Sequence, residues 1–203
     1  IKGYSEFLAE EIEDRPDLKK AVFHLNNESD RLAKLVDEVL TLSRIEKGSA
    51  EFHLDKLNFT GLIEDIIEKM LLRAQKYDIK IISDIAPEVY VRGDKEKLVQ
   101  VIVNLLDNAF KFTPPRSTVR VSLYKERSEA ILMVVDQGIG IPEKDRLKVF
   151  DRFYRAENTR GISGTGLGLS IVKHIVDAHS GSIKLTEGVN GGTTAILRLP
   201  AGV

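Results

Sequence analysis

The sequence predicts an α+β protein in two parts. The first is a helical hairpin over residues 1–48, and the second is an α/β sandwich over residues 49–203, with a mixed β-sheet and helices on one face. A heptad-like repeat of apolar residues near the amino terminus predicts the helical part. Paired runs of alternating apolar residues, separated by helical segments, predict the sheet.

The composition excludes several classes of protein. The 203 residues include no cysteine, which excludes disulfides, thiolate metal sites and a cysteine nucleophile. Lys and Arg total 30 against 31 Asp and Glu, so there is no global basic field for nucleic acid. No apolar run has the length of a membrane helix. We therefore expect a cytoplasmic chain, and its uncapped start predicts a fragment whose parent could be anchored in the inner membrane.

The apolar repeat predicts one long helix over residues 18–43 with a partner helix before it. Its heptad positions are Leu18, Val22, Leu25, Ser29, Leu32, Val36, Val39 and Ser43. Apolar residues within residues 1–12 mark the last turns of the partner helix, and Pro16 can start the long one. Because one hairpin is half of a four-helix bundle, we predict a homodimer through this part. The alternative is a hairpin that packs on the second part of the same chain.

The elements of the second part follow from caps and periodicity. Thr60 is predicted to cap a helix that ends near Tyr77, and Asp94 a helix that ends at Phe112. Strands are predicted at residues 79–85, 118–124 and 130–135, with a closing hairpin at 183–185 and 194–199 after a helix at 169–178. Residues 52–59 are expected to add an edge strand.

A polar stripe runs along the helix that begins after Asp94. Asn104, Asn108 and Lys111 are spaced i, i+4 and i+7, which places them on one face. Amide oxygens suit a hard cation such as Mg²⁺, and an ammonium group suits phosphate. The alternative is an ordinary solvated face.

A second motif follows an apolar strand, at residues 136–142. Asp136 comes directly after the strand, and Gly138 and Gly140 allow backbone to approach a flat ligand closely. A fixed carboxylate there could accept a hydrogen bond from an exocyclic amine. The alternative is a turn that merely ends the strand.

A glycine-rich run at residues 161–169 opens the last helix. Free N–H groups at a helix start can hold phosphate oxygens. The run is neither a Walker A loop nor a dinucleotide fingerprint, so a flexible surface loop is the alternative. Before it, the aromatic and basic residues 150–155 could dock a segment on the core while an arginine reaches phosphate, or form a solvated helix end. Residues 156–161 between these motifs are predicted to form a mobile lid.

The four motifs together, in this order, resemble the N, G1, F and G2 boxes of sensor histidine kinases. They are Asn-Leu-Leu-Asp-Asn-Ala-Phe-Lys-Phe-Thr, Asp-Gln-Gly-Ile-Gly-Ile-Pro, Phe-Asp-Arg-Phe-Tyr-Arg and Gly-Thr-Gly-Leu-Gly-Leu. The resemblance implies that residues 1–48 belong to a dimerisation and histidine-phosphotransfer bundle. It also implies that residues 49–203 form a catalytic ATP-binding domain with the Bergerat fold.

The resemblance implies a role for each motif. Asn108 would coordinate Mg²⁺ on the ATP phosphates, with Asn104 in support and Lys111 near the phosphates. Arg155 would reach toward the γ-phosphate, with Arg152 as a helper, and Asp136 would accept from the adenine amine. The other nucleotide-binding residues implied by the resemblance are Phe112, Gly138, Gly140, Ile141, Gly164, Thr165, Gly166, Leu167, Gly168 and Leu169.

The implied activity is transfer of the ATP γ-phosphate to a histidine and onward to an aspartate of a response-regulator receiver domain. Related ATPases carry a glutamate at the position of Asn104, and an asparagine cannot take a proton from water. By motif spacing, the phospho-accepting histidine would lie about nine residues before Ile1. His24, His53, His174 and His179 do not match its motif. The alternatives are a related Bergerat ATPase and a non-catalytic dimeric scaffold with a vestigial nucleotide pocket.

Overall fold

The computed structural model describes residues 15–46, 51–159, 161–162 and 164–202, and it divides the chain into two compact units, residues 1–50 and residues 51–203. In the first unit, helix α1 spans Pro16–Glu46. This confirms the predicted long helix and Pro16 as its first residue. The partner helix predicted within residues 1–12 and the predicted stop at Gly48 lie outside the described residues.

Most of the apolar stripe of α1 is exposed in the single chain. Val22 is buried, whereas other large apolar side chains along the helix are exposed: Leu18, Phe23, Leu25, Leu32, Val36, Val39 and Leu40. Several large apolar side chains exposed along one helix are typical of an interaction site. Within the described residues, no helix has both the length and the hydropathy needed to cross a bilayer.

The second unit alternates strands and helices. Its elements are β1 (Asp55–Asn58), α2 (Phe59–Lys76), β2 (Ile79–Ile85), β3 (Tyr90–Gly93), α3 (Lys95–Phe112), β4 (Ser117–Glu126), β5 (Glu129–Val135), α4 (Gly168–Ala178), β6 (Ser182–Glu187) and β7 (Thr193–Pro200). Short 3-10 helices lie at Glu143–Asp145, Lys148–Phe150, Glu157–Thr159 and Val189–Gly191.

The main sheet has five strands in the order β2-β4-β5-β7-β6. β2 is parallel to β4, and the other three pairs are antiparallel, so the sheet is mixed. Along β4, Val119 and Val121 are fully buried while Arg120 between them is exposed, because successive side chains point to opposite faces. The buried face lies under α2, α3 and α4, which confirms the predicted α+β class.

Two local predictions are wrong. The strand expected at residues 52–59 is shorter, and β1 pairs with β3 in a separate two-stranded sheet instead of adding an edge to the main sheet. The cap of α2 is Asn58, whose Oδ1 accepts from the Gly61 N–H at 3.1 Å, and not Thr60. The Thr60 hydroxyl instead donates to the Ala86 carbonyl at 2.8 Å and accepts from the Val89 N–H at 3.1 Å.

Helix α3 presents its polar stripe because its other side is fixed in the core. Asp94 caps it as predicted, and its carboxylate accepts from the Lys97 N–H at 3.1 Å. The buried residues of α3 are Leu98, Val101, Ile102, Leu105, Leu106, Ala109 and Phe110. An ion pair of 2.7 Å between Arg73 Nε and Asp107 Oδ1 joins α2 to α3. These contacts fix the rotation of α3 about its axis and so place the stripe.

Candidate functional site

Three of the predicted motifs converge on α3. A Cβ at Gly168, the first residue of α4, would lie 3.2 Å from Asn104 Oδ1. A Cβ at Gly164 would lie 2.7 Å from Lys111 Nζ. The glycine-rich run therefore borders the polar stripe, and the two glycines let its backbone come close to an amide oxygen and an ammonium group. Asn108 lies one helical turn after Asn104 and is half-buried.

The loop after β5 also joins this stripe. The Ile139 N–H donates to the Phe112 carbonyl at 3.1 Å. A Cβ at Gly138 would lie 2.6 Å from the same carbonyl oxygen, so glycine is required for this approach. The Lys111 ammonium lies 5.0 Å from the centre of the Phe112 ring, within the range of a cation–π contact.

Asp136 is buried at the end of β5, with 8% of its surface exposed. Its Oδ1 accepts from the Gly138 N–H at 2.8 Å and from the Thr193 N–H at 3.0 Å. In the described residues Oδ2 accepts no hydrogen bond. Burial raises the pKa of Asp136 above its usual value, although the two N–H groups oppose the shift. The geometry thus fixes one carboxylate oxygen and leaves the other available to a donor.

The turn between β6 and β7 packs against the loop that follows β5. Its residues were not among the predicted site residues. Gly140 has a φ of +66°, and a Cβ there would lie 2.2 Å from the Gly191 carbonyl oxygen. A Cβ at Gly192 would lie 2.1 Å from the Asp136 carbonyl oxygen. The sequence signal was the pair of glycines before Thr193, which indicates a turn but not its neighbour more than 50 residues earlier.

The start of α4 has no side-chain cap among the described residues. Its N-cap residue, Leu167, is fully buried and provides no side-chain hydrogen bond to the first turn. The Thr165 hydroxyl accepts from the Leu167 N–H at 3.3 Å, which shapes the turn. Because a helix start has free N–H groups and a positive dipole end, it favours an anion. Leu169 is half-buried in the first turn.

Gly166 brings the glycine-rich run against the aromatic motif. It has a φ of +76°, and a Cβ there would lie 2.7 Å from the Phe153 carbonyl carbon. Phe153 itself has a φ of 58°, which is unusual for a residue with a side chain. The two motifs thus meet through their backbones.

Arg155 contacts the backbone of the residues that follow it. Its guanidinium donates to the carbonyls of Thr159 at 2.9 Å and Gly164 at 3.5 Å, and also to the Ile162 carbonyl. The predicted contact of Arg155 with a γ-phosphate stays a prediction. Arg152 is exposed.

Three further side chains make hydrogen bonds within the segment between β5 and α4, and no sequence periodicity marks them. The Asn158 amide donates to the Gly140 carbonyl at 3.0 Å, which joins the 3-10 helix Glu157–Thr159 to the loop after β5. The Tyr154 hydroxyl donates to the buried Asp145 carboxylate at 2.7 Å. The Arg146 guanidinium donates to the Ile141 carbonyl at 3.2 Å.

Two family models match the chain. The model described as histidine kinase-, DNA gyrase B-, and HSP90-like ATPase matches residues 93–203. The model described as the His Kinase A (phospho-acceptor) domain matches residues 1–48. The two matches follow one another in the order expected from the sequence motifs.

Curated relatives are similar over nearly the whole chain. Sensor histidine kinase WalK of Bacillus subtilis (strain 168) is 34% identical over 98% of this chain, and sensor protein SrrB of Staphylococcus aureus (strain NCTC 8325 / PS 47) is 32% identical over 98%. The chain spans 34% and 35% of their respective lengths.

Solved structures share the fold. A mycobacterial sensor histidine kinase, MprB, is 35% identical with a TM-score of 0.67, over 72% of this chain and 98% of that one. Full-length ShkA in complex with AMPPNP is 25% identical with a TM-score of 0.81, over 100% of this chain and 42% of that one.

Proposed function

We propose that this chain, which belongs to the sensor histidine kinase family, binds Mg-ATP and directs its γ-phosphate to a histidine and then to a receiver-domain aspartate. The observation that carries the proposal is the convergence on α3 of the polar stripe, the loop of Asp136 and the glycine-rich start of α4. Family relatives support it, including one solved with the ATP analogue AMPPNP.

Asp136 would select the base. Its Oδ2 faces no donor in the described residues, while Oδ1 is fixed by the N–H groups of Gly138 and Thr193. A carboxylate held in this way accepts from the exocyclic amine of adenine, and the oxygen of guanine at that position offers no proton. The closely packed backbone at Gly138 and Gly140 would let the base lie flat against the loop.

The phosphate end would be held by α3 and the start of α4. Gly164 and Gly168 bring the backbone close to Lys111 and Asn104, and N–H groups at the start of α4 suit phosphate oxygens. Leu169 and the turn of Thr165, Gly166 and Leu167 would close this end. We propose that Arg155 holds the predicted lid, residues 156–161, through its bond to the Thr159 carbonyl. The γ-phosphate would then compete for the same guanidinium.

The residues present fit a Mg²⁺ ion that binds together with ATP. No cluster of three His, Cys, Asp or Glu suited to a metal occurs among the described residues, so the protein's share of the ligands would be amide oxygen, with Asn108 the candidate. When bound, Mg²⁺ would neutralise part of the negative charge of the phosphates. Asn104 would position the neighbouring phosphate, and since it cannot act as a base, it does not activate water for hydrolysis.

The two units would have separate tasks. We propose that residues 1–48 are part of the dimerisation and phosphotransfer hairpin, and that residues 49–203 form the catalytic domain. The exposed apolar stripe of α1 supports a homodimer through this hairpin. The receiver domain of a response regulator would be the second partner, in the cytoplasm.

The test uses the protein extended by the segment that precedes Ile1, incubated with ATP labelled at the γ-phosphate. We expect label on the protein that is labile in acid and stable in base, as a phosphorus–nitrogen bond is. The Asn108→Ala variant should bind ATP without the Mg²⁺-dependent gain and should not become labelled. Steady release of labelled phosphate without labelled protein would favour the ATPase alternative, and no binding of ATP would favour the scaffold.

A further inference from the structure

His179 is a buried histidine that the proposed chemistry does not use. It ends α4, and 4% of its surface is exposed. Its Nε2 lies 2.9 Å from the backbone nitrogen of Asp94, and its Nδ1 lies 2.7 Å from the Ile175 carbonyl oxygen. Since an amide N–H only donates, Nε2 must accept, and the proton of the neutral ring must lie on Nδ1. The two partners therefore define one tautomer.

The same imidazole holds the start of α3. Besides its N–H bond to His179, Asp94 accepts at Oδ2 from the His53 N–H at 3.2 Å. The ring of Phe52 packs edge-on against His179, with ring centres 5.8 Å apart. Burial alone would raise the pKa of Asp94, but its backbone N–H partners, led by Lys97, outweigh burial and lower it. Two hydrogen bonds and one aromatic contact thus fix the position of the His179 ring.

The contacts between α4 and α3 include one at each end of α4, and the distances along the two helices match. His179 meets Asp94 at one end, and Gly168 meets Asn104 at the other. Ten residues separate the two contacts on α3 and eleven separate them on α4. At 1.5 Å per residue these are about 15 Å and about 16.5 Å, in antiparallel directions. The contact between His179 and Asp94 at one end of α4 therefore also fixes the axial position of its other end, at Gly168.

We infer that His179 is a positioning residue that sets the register of α4 along α3, and so places the glycine-rich turn beside Asn104. The inference rests on the proposed function, because the turn at Gly168 is where the phosphates would bind. It predicts a selective effect. Asp136 lies on a different element and makes its hydrogen bonds to Gly138 and Thr193, so base recognition does not depend on this register.

The experiment compares His179→Ala with His174→Ala, a half-buried histidine on the same helix. Dissociation constants are measured for Mg-ATP and for adenosine, well below the melting temperature of each variant. We expect His179→Ala to weaken ATP binding by about tenfold, the equivalent of one buried hydrogen bond, and to change adenosine binding by less than about twofold. His174→Ala should leave both constants unchanged.

Two further measurements complete the test. His179→Gln places an amide oxygen near the position of Nε2, so it should recover most of the ATP affinity, and it also serves if the alanine variant does not fold. A crystal structure of a nucleotide-free variant without the imidazole should show Gly168 displaced along α3 from Asn104. An equal loss of ATP and adenosine affinity, or an unmoved α4, would overturn the inference. Failure of the wild-type chain to bind ATP would instead reject the proposed function, while the displacement of α4 would still test the register.

Discussion

Asp136 is the single residue in which stability and proposed function conflict most directly. Burial raises its pKa, so in the folded state the carboxyl holds its proton more tightly than in the unfolded chain. Stability from this group is present below the unfolded pKa of 3.8 and is lost as pH rises through the raised folded value. At neutral pH the ionised, desolvated carboxylate therefore destabilises the nucleotide-free protein.

We expect Asp136→Asn to raise the melting temperature of the nucleotide-free protein at pH 7 and to abolish the stabilisation by ATP. The asparagine oxygen can still accept from Gly138 and Thr193 but carries no charge to desolvate. Saturating ATP at a hundredfold excess over Kd should add about 2.7 kcal/mol to the wild type only. Calorimetry between pH 3.5 and about 7 measures both effects.

The outcome at low pH provides the control for this prediction. The stability advantage of Asp136→Asn should shrink as pH falls toward 3.8, because the wild-type carboxyl then becomes neutral too. A variant that is less stable than the wild type at every pH would mean that the charge itself stabilises the loop. Unchanged ATP affinity would remove Asp136 from base recognition.

Among the elements, α2 illustrates a cap that depends on its surroundings. Asn58 and Thr60 are both good capping residues, and sequence alone does not decide between them. The hydroxyl of Thr60 is occupied by Ala86 and Val89, which lie nearly 30 residues further along the chain. The observed cap therefore lies two residues before the predicted one.

We expect Asn58→Ala to lower the free energy of unfolding by about 1 kcal/mol, since it removes the acceptor of the Gly61 N–H. Glu64→Ala, at an exposed position of the same helix, is the matched control and should change it by less than about 0.5 kcal/mol. Urea denaturation of both variants measures the difference. Equal values for the two would show that Asn58 adds nothing as a cap.

The glycine-rich run offers a matched pair of glycines. Gly166 and Gly161 both have positive φ, at +76° and +89°, but a Cβ at Gly166 would meet the backbone of Phe153 while one at Gly161 would meet nothing within 4 Å. Alanine at either site carries a backbone strain of about 1 kcal/mol. Only Gly166→Ala should also displace the start of α4.

We therefore expect Gly166→Ala to weaken ATP binding by about tenfold and Gly161→Ala to leave it within about twofold. Titration calorimetry with Mg-ATP measures both affinities. Similar losses in the two variants would mean that backbone strain, and not the contact with Phe153, sets the effect.

The order of strands and helices could be predicted because periodicity and caps act within short segments. The limits of β2 were predicted as observed, and α3 spans Lys95–Phe112 directly after its predicted cap, Asp94. The pairing of β1 with β3 was missed because β3 has only four residues and its partner lies more than 30 residues earlier. For the candidate site, a contiguous motif such as the loop of Asp136 can be singled out from the sequence. Its partners Thr193 and Asn158 join it only through tertiary contacts.

At the scale of the whole molecule, the buried core and most of the exposed apolar side chains of α1 belong to different units. The main sheet, its three helices and nearly all fully buried side chains lie within residues 51–203. Large exposed apolar side chains are instead concentrated on α1. We infer that the second unit folds without the first, and that self-association belongs to the first.

We expect residues 51–203 alone to be monomeric and to bind ATP within about twofold of the full chain, whereas residues 1–203 form a dimer. In the full chain, Leu32→Glu with Val36→Glu places two charges on the exposed stripe of α1 and should convert the dimer to monomer without loss of ATP affinity. Analytical ultracentrifugation and titration calorimetry measure the two properties. Burying unpaired carboxylates in a homodimer interface is strongly unfavourable. If the double variant remained dimeric, the dimer contacts would therefore have to lie in the second unit, and the assignment to α1 would be wrong.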